Sequence, residues 1–231
     1  MAFIERENEI LTTIKTLVDL KLDFIIVGGY AVSSLARHRF SVDCDIVLSK
    51  KNLEKFQKVL ESKGFKKHIE SSGFDESYNG MFVNYRKEVI GFPVTIDLLI
   101  NSLVSRSTGA SWSFDYIKKN SIEVNLSGLK TSVRCKVPKK ELLIAFKIHS
   151  GRKTDIRDII MLNENVDLKE VLSHLKRGHI DELKNQIKKI FFSLDDKNLV
   201  NSLKGIFTIT NDVEKEIRNT KKFIEKILKK F

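Results

Sequence analysis

The sequence is poor in the residues that staple, break or hide a chain: it has two cysteines, two prolines and one tryptophan in 231 residues. Cys44 and Cys135 lie far apart and give no disulfide framework, so free thiols and a cytoplasmic setting are expected. The opening Met-Ala-Phe-Ile-Glu-Arg-Glu-Asn-Glu lacks the basic start and apolar stretch of a secretory signal. No apolar run approaches the roughly 18 residues that a bilayer-spanning helix needs, so no membrane partner is expected. Scarce proline leaves long helices unhindered. A hydrophobic share of 42% beside 31% charged residues excludes a disordered polymer and suits a chain that buries its own core.

What the chain has in excess is positive charge. The net charge is +11 and the pI is near 9.5, a balance that attracts phosphate-bearing partners and speeds their encounter. The excess is uneven: residues 137–231 carry 21 Lys and Arg against 14 Asp and Glu, whereas residues 1–136 carry 20 against 16. Lys-rich helix faces also occur as plain solvated surface, so this asymmetry bears on partners and does not by itself define a site.

The hydrophobic period changes along the chain. Ile10, Leu11, Ile14, Leu17, Val18 and Leu20 predict an amphipathic helix over residues 8–20. Residues 23–27 read as a buried strand that ends at Gly28-Gly29, followed by a short helix over 30–38. Residues 42–48 read as a second strand, whose two-residue period puts Asp43, Asp45 and Val47 on one face and Cys44, Ile46 and Leu48 on the other. Ser49 is expected to cap a helix carrying Leu53, Phe56, Val59 and Leu60, with Gly64 at its end. Signals are weak from 65 to 80. Strands are expected over 81–85 and 94–100 around Gly91 and Pro93, then over 122–126 and 131–137 around Gly128. Beyond Pro138 the pattern is helical, over 141–149, 156–162, 168–176, 180–193, 199–206 and 212–230, and a domain boundary is expected near residue 137.

The pattern that points to chemistry is strand, Gly28-Gly29, helix, then Asp43-Cys44-Asp45, with Asp97 inside the apolar run Val94 to Ile100. A glycine turn into a helix lets backbone approach closely and aims free N–H groups at an anion, as a phosphate requires. Aspartates from neighbouring strands give the oxygen-only donor set that Mg²⁺ prefers. Taken singly, a Gly-Gly pair is also an ordinary tight turn, and Asp-x-Asp also an ordinary solvated strand edge. Asp97 needs a partner, because an unpaired buried carboxylate is costly. Lys147 interrupts Leu142 to Ile148 and either snorkels to the edge or meets an anion. Asp155 and Asp158 share a helix side, where surface charge is the simpler reading for Asp155. Arg37 and Arg39 follow the glycine helix and either steer phosphates or end in solvent. The histidines show no metal-ligand spacing with cysteine, so zinc is not expected.

These residues resemble the nucleotidyltransferases of the DNA polymerase beta type, whose signature stands here as Val27-Gly28-Gly29, thirteen intervening residues, then Asp43-Cys44-Asp45. Lys140-Glu-Leu-Leu-Ile-Ala-Phe-Lys147 and Asp155-Ile-Arg-Asp158 look like later motifs of the AbiEii-type subgroup, which includes toxins of toxin–antitoxin pairs. The resemblance implies an α+β nucleotidyltransferase fold, a mixed twisted sheet flanked by helices, followed by a C-terminal helical domain. Residues 1–136 would be the catalytic domain, and residues 137–231 a basic helical domain contributing Lys147 and Asp158 and recognising the acceptor. It implies that Gly28 and Gly29 hold the triphosphate and that Asp43 and Asp45 bind Mg²⁺ or Mn²⁺. Asp97 would complete the metal set and help activate the acceptor hydroxyl, and Ser41 would touch a phosphate oxygen. Tyr30 stands where the family often has Ser or Thr, so Ser33 or Ser34 would supply that hydroxyl. The implied reaction moves a nucleoside monophosphate from an NTP to a hydroxyl of RNA such as tRNA, in a protein that could have an antitoxin partner. The alternatives are a small-molecule nucleotidyltransferase of the antibiotic-modifying type and a catalytically silent module that binds nucleic acid or a partner.

Overall fold

Helix α1 (Ala2–Asp19) starts earlier than the apolar period requires and buries Ile10, Leu11, Ile14 and Leu17, a stripe at helical spacing. The computed structural model describes residues 2–207 and 212–231. It divides into two compact units: Met1–Ser34, Phe40–Val104 and Trp112–Pro138 form the first, and Leu35–Arg39, Ser105–Ser111 and Lys139–Phe231 the second. Two short segments of the N-terminal half therefore belong with the later helices, which a single cut in chain order does not separate.

The first unit is built on a five-stranded mixed sheet. Strand β1 (Phe24–Val27), buried at all four residues, pairs antiparallel with β2 (Asp43–Leu48), so that Val27 stands opposite Asp45. Between them runs α2 (Gly28–Leu35), and after β2 come a 3-10 turn (Lys50–Asn52) and α3 (Leu53–Ser62). Strands β3 (Lys66–Ser72), β4 (Met81–Val89) and β5 (Phe92–Ile100) complete the spatial order β1-β2-β5-β4-β3, with β2 and β5 parallel and the other neighbours antiparallel. Short strands β6 (Ser102–Val104) and β7 (Ser111–Ser113) pair as a ribbon. Helix α4 (Phe114–Lys119) is capped by the Ser113 hydroxyl, which accepts from the Tyr116 N–H at 3.2 Å. The hairpin of β8 (Ser121–Ser127) and β9 (Ser132–Pro138) follows, and β9 packs against β1 and α1.

One expectation needed correction, and two elements had carried no clear signal. Residues 66–72 form an edge strand that the weak signal of this region concealed, because all but one of its residues are exposed and no apolar alternation marks it. Ser49 makes no side-chain cap; the 3-10 turn intervenes and Asn52 precedes α3. Helix α4 carried no periodic signal because its 6 residues make fewer than two turns.

The second unit is helical: α5 (Lys140–Ser150), α6 (Lys153–Leu162), α7 (Leu168–Leu175), α8 (Ile180–Ser193), α9 (Leu199–Ile206) and α10 (Val213–Leu228). Helix α5 is central, buried from Leu142 to His149 and packed against α6, α7 and α8, while α10 lies on α8 and α6. Gly151 ends α5 in the left-handed conformation, at φ +55°, where a Cβ would enter the Gln186 side chain. The architecture is α+β, a mixed sheet flanked by helices and followed by a helical part. Among the described residues no helix is long and apolar enough to cross a membrane.

Candidate active site

Pairing places the three candidate aspartates, Asp43, Asp45 and Asp97. Asp45 stands in register with Asp97 across the parallel β2–β5 pair, and Asp43 lies two residues earlier, opposite Thr95. Cys44, Ile46, Ile96 and Leu98 are fully buried on one face of the sheet, whereas Asp43 is exposed and Asp45, Thr95 and Asp97 are half-buried on the other. The three carboxylates share that more open face, as the alternation of a strand dictates.

The diglycine turn lies against the same carboxylates. Gly28 opens α2 at φ +64°, and a Cβ added to it would stand 2.0 Å from Oδ2 of Asp45. A side chain there is excluded both by backbone conformation and by the carboxylate, so glycine is required for the approach. The first N–H groups of a helix have no intrahelical acceptor; in α2 these begin at Gly28, the residue that lies against Asp45.

Neutral donors hold two of the carboxylates. The Ser41 hydroxyl donates to Oδ1 of Asp43 at 2.6 Å, and the Asn84 carboxamide donates to Oδ1 of Asp97 at 2.5 Å. Burial raises the Asp97 carboxyl above its ordinary pKa; the Asn84 bond opposes this and the charge of Asp43 reinforces it. Ser41, expected at a phosphate, thus spends its one proton on Asp43. Ser34 spends its own on the Ala31 carbonyl at 2.8 Å, while Ser33 is half-buried on α2. The Tyr30 hydroxyl donates to the Ser41 carbonyl at 3.0 Å. Cys44 is buried on the opposite face, where burial first and the neighbouring aspartates second push its thiol well above the ordinary range.

The donor chemistry fits a hard divalent cation: all candidate donors are carboxylate oxygens, two are adjacent in register, and like charges stand close enough for Asp43 to perturb Asp97. Among the described residues no three His, Cys, Asp or Glu side chains are gathered into a ready cage. A Mg²⁺ held by one or two carboxylates, with water and phosphate oxygens supplying the rest, needs no such cage.

Lys147 and Asp158, the other expected site residues, meet in the second unit. The Lys147 ammonium lies 2.8 Å from Asp155 and 2.8 Å from Asp158, and Arg39 lies 3.2 Å from Asp158. The anions that Lys147 meets are therefore the protein's own, and its ammonium does not snorkel to the edge. Asp155 is a correction to the surface reading: it is fully buried at the start of α6, accepting from the backbone N–H of Arg152 at 3.1 Å and from its guanidinium at 2.8 Å. Burial works against its charge, yet Lys147 and Arg152 hold its carboxyl down at about 2. Arg37 lies 3.8 Å from Glu216 on α10, within the same unit.

Asn84 and the Tyr30 hydroxyl were missed by sequence reasoning. Asn84 is the polar residue between buried Val83 and Tyr85, and only the β4–β5 register, Asn84 opposite Asp97, shows its purpose. It supplies the partner that Asp97 required.

No family model matches the chain, and no curated protein matches it. Among solved structures, the chain is similar to JHP933 from Helicobacter pylori, at 17% identity and a TM-score of 0.49 over 99% of this chain and 92% of that one. It is similar to the lincomycin-bound lincosamide antibiotic adenylyltransferase LnuA, at 20% identity and a TM-score of 0.47 over 69% and 98% of the two chains. A third similar structure is the antibiotic-resistance factor ANT(2'')-Ia, at 12% identity and a TM-score of 0.48 over 74% and 88%. With TM-scores below 0.5 and identities of 20% or less, these likenesses leave the assignment to the chain's own residues.

Proposed function

We propose that the protein is a divalent-cation-dependent nucleotidyltransferase, moving a nucleoside monophosphate from an NTP to an acceptor hydroxyl and releasing pyrophosphate. The observation that carries this reading is the Asp45 carboxylate seated against the positive-φ Gly28, with Asp97 beside it in register. A phosphate cradle and a cation-seeking carboxylate face then share one turn of chain. N–H groups at Gly28 and Gly29 bind triphosphate oxygens, and Asp43 and Asp45 are the residues that would hold Mg²⁺ or Mn²⁺. When bound, such an ion neutralises phosphate oxygens during an in-line displacement. Asp97, oriented by Asn84, joins that set and accepts the proton of the attacking hydroxyl.

The basic residues of the C-terminal half suit an RNA acceptor such as tRNA, whose backbone charge they match. Lys147 and Asp158 are spent on each other, on Asp155 and on Arg39, so this reading gives them a structural share in place of substrate contact. A toxin role with an antitoxin protein, in the cytoplasm, belongs to the motif resemblance; growth arrest by the wild type and not by Asp43→Ala tests it. The direct test incubates purified protein and Mg²⁺ with each α-labelled NTP and total tRNA. Labelled RNA is expected from the wild type and none from Asp43→Ala; equal labelling by the variant removes the assignment.

A second reading, a small polar acceptor, rests on a cavity of about 740 Å³ in the helical unit. Its wall sets Arg37, Lys140 and Lys215 against Glu164, Asp212 and Glu216, a balance unsuited to a polyanion. Labelled small molecules in place of labelled RNA would favour it.

A further inference from the structure

The residue after the diglycine, Tyr30, has no role in the chemistry above, yet its contacts lead to it. The chain between α2 and β2, residues 36–42, has no regular structure, so the backbone groups just ahead of Asp43 depend on partners outside any ladder. Val42 finds one in the Thr95 N–H, at 3.0 Å from its carbonyl. The Ser41 carbonyl finds the Tyr30 hydroxyl, in a bond that is buried at both ends. Ser41, itself buried, then turns its hydroxyl onto Oδ1 of Asp43. A buried carbonyl without a donor carries a desolvation cost, so the Tyr30 bond selects one conformation of this segment.

We infer that Tyr30 and Ser41 form a positioning relay that fixes the Asp43 carboxylate for its cation, with Oδ1 committed to Ser41 and Oδ2 left to coordinate. The inference rests on the proposed reading of Asp43 as a cation ligand. Neither Tyr30 nor Ser41 touches the substrate; both act through Asp43. Tyrosine suits the position because burial, reinforced by nearby Cys44, Glu7 and Asp43, raises its phenol and keeps it a proton donor. The ring is 3% exposed, so its body serves the core while its tip reaches the loop. This also accounts for an aromatic residue where the resemblance expects a small hydroxyl: the hydroxyl is supplied from the far side of the segment, to the backbone and not to a phosphate.

The test is Mn²⁺ binding to the full chain, read by electron paramagnetic resonance with no nucleotide added, alongside thermal melting. Removing an outer partner of a metal ligand weakens the metal by about tenfold or more, so Tyr30→Phe and Ser41→Ala are each expected to raise the Mn²⁺ dissociation constant by about that factor. The double variant is expected to be little worse than either single one, because both break one chain of bonds. Ser41→Thr, which keeps the hydroxyl, is expected to restore wild-type binding, which a mere packing role for Ser41 would not require. Should Tyr30→Phe fail to fold, the Ser41→Ala and Ser41→Thr pair decides. Unchanged Mn²⁺ affinity in folded Ser41→Ala overturns the relay, as does additivity in the double variant. Unchanged affinity in Asp43→Asn overturns instead the reading of Asp43 on which the relay depends.

Discussion

Two sets of aspartates in this molecule are held in opposite ways. In the sheet unit, Asp43 and Asp97 accept from neutral donors, a serine hydroxyl and an asparagine carboxamide. In the helical unit, Asp155 and Asp158 are surrounded by the Lys147 ammonium and the guanidinium groups of Arg152 and Arg39. A neutral donor orients a carboxylate without discharging it, whereas a cationic partner does both. The first set keeps a charge to offer to a ligand; the second has its charge answered within the fold.

The comparison breaks most visibly at Lys147. Lys147→Met leaves two buried carboxylates without their shared cation and is expected to cost about 3–5 kcal/mol, a drop in melting temperature of roughly 10 °C. Urea or thermal unfolding measures it, and a loss under about 1 kcal/mol would show that the network is not the structural one described.

Gly28→Ala should come next. A side chain at φ +64° is strained and its Cβ would displace Asp45, so a loss of about 2–3 kcal/mol is expected together with loss of NMP transfer. Gly91→Ala is the control, since Gly91 also has a positive φ but nothing within 4 Å of the added carbon. Its cost should be smaller, with transfer retained.

A pH titration sharpens the contrast in the helical unit. His149 is buried between Thr108, which meets its Nδ1 at 2.7 Å, and the Leu175 carbonyl, 3.1 Å from Nε2. Burial lowers its pKa to about 4; the Leu175 bond opposes this and the Arg177 charge adds to it. The folded state thus binds the proton less readily than the unfolded chain, so the stabilising term is complete above pH 6.5. It is lost as pH falls from about 6.5 towards about 4, amounting to about 2 kcal/mol by pH 5. His149→Gln should remove this part of the slope, and an unchanged slope would place the proton uptake elsewhere.

Much of this was legible in the sequence, and the exceptions have one cause. The strand before Gly28, the alternation across Asp43, Cys44 and Asp45, and the helical run after Pro138 are local patterns, set by periods of two and 3.6 residues. What escaped was non-local. Strand β3 is an exposed edge with no apolar period, Asn84 matters only through its register opposite Asp97, and Asp155 looks like helix surface until Lys147 is brought to it. The motif resemblance suggested shared chemistry for the Gly-Asp motifs and for Lys147 with Asp158. Partner identity distinguishes the two sets, and a sequence does not state which donor reaches which carboxylate.

The smallest expected effect is on the stability of the carboxylate face. Asp43→Asn removes an exposed charge that repels Asp97, so unfolding should change by no more than about 0.5 kcal/mol while transfer is lost. A large destabilisation would instead make Asp43 structural, like Asp158.

The central claim, that this face binds a nucleotide through a divalent cation, is tested most directly by titrating a fluorescent ATP analogue into the full chain with Mg²⁺ and with EDTA. The wild type should bind in Mg²⁺ and lose most of that affinity in EDTA, and the Asp43→Asn/Asp45→Asn variant, still folded, should bind weakly in both. Equal binding by wild type and variant, indifferent to Mg²⁺, would contradict the account.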